Sequence, residues 1–114
     1  MLNQRLAAAK QVAAELMPAE TDLDNAILHA SRLAIAVVEG RRPAKLPITT
    51  GQEGLVHITR ATVKLAEARS EMGAAHIALR ETQNEMGLHA VAFGDLWECP
   101  DKKAELTQPA ANVA

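Results

Sequence analysis

The side chains through which this chain could do chemistry are four histidines, one cysteine and several spaced carboxylates. A metal ion needs ligands that converge on one face, typically three or four residues apart on a helix. Glu53 and His57 have the four-residue spacing. So do Glu85 and His89, but Gly87, a predicted helix terminator, stands between them. Neither pair has the Glu-x-x-His spacing of carboxylate-bridged di-metal bundles. His29 and His76 have no such neighbour, and His76 falls at the flank of the helical seam described below. The expectation is four surface or seam-edge histidines, with no metal and no cofactor.

Nucleophilic catalysis requires a cysteine or serine with an oriented base. Cys99 precedes Pro100 at the start of a polar tail, where little can hold a partner. Ser31 and Ser70 fall inside predicted helices. Gly51-Gln-Glu-Gly54 lacks the Lys-Ser/Thr that completes a phosphate loop. Glu67 and Glu71, like Glu81 and Glu85, have the four-residue spacing of a solvated helix face. No catalytic residue is assigned, and the chain reads as a non-enzyme.

Basic residues offer one alternative. Arg41, Arg42 and Lys45 sit together in a segment, 40–49, that holds two prolines and a glycine. They could contact phosphate, as in a small nucleic-acid-associated regulator. The competing reading is a solvated loop whose arginines complement a helix C-terminus, and no aromatic stacking partner is interleaved. Elsewhere Arg60, Lys64, Arg69 and Arg80 alternate with glutamates, so the signs cancel locally. A helix-turn-helix could use Met17 to Thr21 as its turn, but the helix after it is too apolar to offer a reading face. The net charge of −2 adds no general pull toward nucleic acid or anionic membrane.

The elements that would position these groups follow from composition and periodicity. The apolar share is 48% but consists largely of Ala (23) and Leu (13), with one Phe, one Trp and no Tyr. Ala is the best helix former, while aromatic and β-branched residues favour strands, so the class is all-α. The length allows one domain. Leu2, Leu6, Ala9, Ala13 and Leu16 make the stripe of a first helix over 2–17, which Pro18 is expected to end. Leu23, Ile27, Ala30, Ala34 and Val37 mark a second over 22–39, capped by Thr21 or Asp22, helped by Asp24 in its first turn, and closed by Gly40.

Thr50 and Glu53 have capping-box spacing and open a third helix over 51–86. In it Ile58, Leu65, Met72, Leu79 and Met86 recur every seven residues, with Ala61, Ala68, Ala75 and Thr82 three residues later. That is a heptad seam with large residues at one position and small ones at the other. The unbroken phase through Gly73 favours a continuous helix of about 54 Å, and the two shorter helices laid end to end would span about 50 Å. The fold expected is two short N-terminal helices packed on one long heptad-patterned helix, as a bundle or helical hairpin. Gly87 ends the long helix, and 93–114 forms an aromatic segment and mobile tail outside a helical domain of 1–92.

Two features point to association. A second stripe, Val56, Val63, Ala66, Ala74 and Ile77, runs along the long helix beyond what one three-helix layer covers. Phe93 and Trp97 could dock on another protein or fold back over the end of the bundle. The interface residues expected are therefore Ile58, Ala61, Leu65, Ala68, Met72, Ala75, Leu79, Phe93 and Trp97.

From Glu67 to Asp95, the run Ala-His-Ile-Ala-Leu-Arg-Glu-Thr-Gln-Asn-Glu-Met-Gly-Leu followed by Val-Ala-Phe-Gly-Asp resembles small helical proteins encoded among tailed-phage and prophage genes of alphaproteobacteria. The resemblance covers about a quarter of the chain. It carries no catalytic residues and implies a phage-encoded accessory or virion role. The expected function is thus a structural or adaptor protein that acts as a homo-oligomer, a dimer first, or through another protein. No apolar run reaches the roughly 18 residues of a membrane span. With a single cysteine and an opening Met-Leu-Asn-Gln-Arg without a signal-peptide core, the expected location is cytoplasmic, or virion-associated if phage-encoded.

Overall fold

The computed structural model describes residues 2–87. They are all-helical, in two helices, α1 (Leu2–Arg41) and α2 (Gln52–Glu85). The chain divides into two compact units: residues 1–18 with the chain from 72 onward, and residues 19–71. We call these the terminal unit and the loop unit.

The expected three helices are corrected to two, because Pro18 lies inside α1 and does not end it. Proline lacks the amide that would bond the carbonyl four residues earlier, here that of Ala14. Both Pro18 and Ala14 are exposed, so water can reach the freed carbonyl. The half-buried residues on either side explain why the helix continues. Leu6, Ala9, Ala13, Leu16, Glu20, Leu23, Ile27, Ala30, Ala34 and Val37 alternate by three and four without a break. Pro18 falls on the opposite side of the helix from these residues. Thr21 and Asp22 are helix-interior residues rather than caps, and Met17 to Thr21 is helical, which removes the turn a helix-turn-helix would need there.

Gly40 is the penultimate residue of α1, which ends at Arg41, one residue beyond the expected close. The turn that follows passes through Lys45, whose φ of 54° is left-handed. The Lys45 amide donates to the Arg42 carbonyl at 3.0 Å and the Leu46 amide to the Arg41 carbonyl at 3.2 Å. This pair of bonds is a Schellman closure with a lysine in the place usually held by glycine. The Arg41 guanidinium then donates to the Leu46 carbonyl at 3.2 Å.

The connection enters α2 through two more turns, with the Thr50 amide bonded to the Pro47 carbonyl and the Gln52 amide to that of Thr49. The N-cap is Gly51, whose carbonyl accepts from the Leu55 amide at 2.9 Å, so the capping box expected of Thr50 and Glu53 is not the entry used. Gly51 has a φ of +74°, and a Cβ there would lie 3.2 Å from Val37 Cγ1. A side chain at this position meets both left-handed strain and a close neighbour. Gly51→Ala is expected to cost about 1–2 kcal/mol, read as a lower urea midpoint at unchanged slope. An unaltered midpoint would mean that the turn is not under this constraint.

In the loop unit, Val37 approaches Gly51 while Asp24 approaches Arg69, so the two helical segments run antiparallel. On the α2 side, Leu55, Ile58, Thr62 and Leu65 are half-buried at the same three-four alternation. In the terminal unit, Ala9, Ala13 and Leu16 of α1 and His76, Leu79, Gln83 and Met86 of α2 line one groove of about 140 Å³. Gly73 does not interrupt α2, and Gly87, with φ +80°, closes it.

Candidate functional site

The groups that could do chemistry are scattered. His29 is exposed, and His57 lies 4.0 Å from Glu53 with both side chains well exposed. His76 is not at the flank of the seam but in it. It faces the terminal-unit groove and is the one buried residue among those described, at 8% exposure. Among the described residues no three His, Cys, Asp or Glu side chains cluster as a metal site would require. The Ser31 hydroxyl is bonded to the Ile27 carbonyl at 2.8 Å. His89 and Cys99 lie outside the described residues.

Of the basic group, Arg41 is half-buried and tied to the loop carbonyl of Leu46, while Arg42 and Lys45 are exposed. Both arginines sit at the C-terminal end of α1, where positive charge is favoured by the helix dipole. Asp24 is not a first-turn residue. Its carboxylate instead accepts from Arg69 Nε at 2.6 Å. Both partners are more than half exposed, so the pair contributes at most about 1 kcal/mol.

The expected interface residues separate into two groups. Ile58 and Leu65 in the loop unit, and Met72 and Ala75 in the terminal unit, are half-buried. Leu79 is 39% exposed at the groove, and Ala61 and Ala68 are exposed. Phe93 and Trp97 lie outside the described residues.

The second seam position of α2 is therefore the series Leu55, Thr62, Arg69, His76 and Gln83, one residue after the alanine series. Periodicity in apolar residues alone misses it, because four of its five members are polar. The available signal was α1, whose apolar residues keep the same alternation.

What remains is apolar surface. In an antiparallel helix pair, residues just before the seam on both helices share one side, and residues just after it share the other. In the loop unit the first side carries Ala26, Leu33, Gly54, Ala61 and Ala68, mostly small. The second carries Leu28, Ile35 and Val38 from α1 with Val56 and Val63 from α2, between 36% and 53% exposed. No helix among the described residues is long and apolar enough to cross a membrane. No protein-family model, curated protein or solved structure matches this chain.

Proposed function

We propose that this protein is a non-enzymatic structural or adaptor component that works by coiled-coil-like helix packing, first of all against further copies of itself. One observation carries the reading. Among the described residues only His76 is buried, while eleven large apolar side chains are exposed. Two helices have one shared seam and cannot enclose a core between layers. Each Leu, Ile or Val side chain fully removed from water contributes about 1.5–3 kcal/mol, so these positions favour a further layer. The resemblance of 67–95 to phage-encoded helical proteins adds an accessory or virion setting, with the cytoplasm as the site of synthesis.

The test is absolute mass by light scattering behind a sizing column, over a hundredfold range of loading. The expected result is a stable multiple of 12.2 kDa. A 12.2 kDa species at every concentration would overturn self-association.

A further inference from the structure

We infer that the side of the loop unit formed by Leu28, Ile35, Val38, Val56 and Val63 receives a second copy of the same unit, lying antiparallel, in a two-fold dimer. The inference rests on the self-association proposed above and names the face that performs it.

Three properties of this face support a copy of itself as occupant. The first is that the hydroxyls near its centre are already bonded within their own helices. The Ser31 hydroxyl bonds its own helix at Ile27, and that of Thr59 bonds Leu55 at 2.9 Å. The carboxylate of Asp24 is matched by Arg69. Covering the centre of the face therefore strands neither of these hydroxyls, and leaving polar atoms unpaired is the usual cost of burying them.

The second property is area. The helical stretches of the loop unit, 19–41 and 52–71, are roughly 30 Å long, and two helices side by side are roughly 20 Å wide. That is about 600 Å² per copy before side-chain relief, of the same order as the roughly 800 Å² of a standard specific interface.

The third is charge. Arg60 and Glu67 are exposed, seven residues apart, on the outer rim of the face. When this rim meets its own copy in antiparallel register with Val63 at the two-fold axis, Arg60 of one copy falls beside Glu67 of the other, twice per dimer. A self-complementary contact of this kind is what two-fold symmetry demands.

The experiment compares four variants with the parent chain by light scattering and sedimentation equilibrium, with circular dichroism as the check on helix content. Ile35→Glu and Val63→Glu alter exposed positions and should leave the helices intact while reducing the mass to that of one chain. Arg60→Glu should weaken association roughly tenfold, because two like-charge contacts replace two opposite ones. Adding Glu67→Arg to it should restore the parent affinity. Loss of association in both apolar variants with rescue by the double charge exchange supports the inference. An oligomer that survives Ile35→Glu and Val63→Glu, or a charge exchange without rescue, overturns this face and register while leaving self-association standing. A monomeric parent chain removes both. If either glutamate variant loses its helix content, the charge-exchange pair decides alone, since both of its positions are exposed rim residues.

Discussion

Replacing Pro18 by Ala is expected to stabilise the protein by about 2–3 kcal/mol, the difference between the two residues inside a helix. Pro18 is exposed, so the substitution removes no buried contact, and it returns to Ala14 the amide partner it lacks. For a domain of this size the gain corresponds to a rise of about 10 °C in melting temperature. The measurement separates one continuous helix from two. If the chain turned at Pro18, alanine there would change stability by less than about 0.5 kcal/mol, as at an ordinary surface site. A gain that small would contradict the uninterrupted α1.

The second large effect is expected at Leu65. It is half-buried in the loop unit, in the seam with Ile58 and Thr62. Leu65→Glu loses apolar burial and places a carboxylate against the partner helix, for a combined cost of about 2–4 kcal/mol. Ala61→Glu, on the exposed side, should stay within about 0.5 kcal/mol for the fold of the chain itself. Denaturant titration of the two variants ranks the positions. Equal losses would mean that the seam does not run where the half-buried residues place it.

These two sites also show what the sequence made legible. The helical class, the irregular connection before residue 51 and the helix end at Gly87 all follow from local chemistry: alanine content, prolines, and a glycine able to take positive φ. The union of the first two expected helices did not, because the one backbone bond lost at Pro18 is outweighed by a half-buried phase that continues across it. Glu20 hid that phase. It occupies a half-buried position between Leu16 and Leu23, where its polar side chain interrupts the apolar pattern. The same polar character conceals Thr62, His76 and Gln83, which are buried or half-buried one residue after the alanine series. At the α2 entry, two local preferences competed. The left-handed ability of Gly51 won over the capping chemistry of Thr50 and Glu53. The lysine that closes α1 gives no sequence signal at all, because only the surrounding hydrogen bonds compel its backbone. The exposed apolar side was partly visible in the Val56 and Val63 stripe. Its other half, Leu28, Ile35 and Val38, emerges only when the antiparallel pairing is known.

The tight connection between Arg41 and Gln52 also bears on the order of events when the chain folds. Val37 and Gly51 are fourteen residues apart, whereas Leu16 and His76, which line one groove in the terminal unit, are sixty apart. The entropy of closing the longer segment from an open chain exceeds that of the shorter by about 1.3 kcal/mol. Contacts next to the connection are therefore the cheapest to form first, and once made they shorten the search for each later pair. The left-handed residues Lys45 and Gly51 shape that connection, so substitutions there are expected to alter the folding rate as well as the stability of the loop unit.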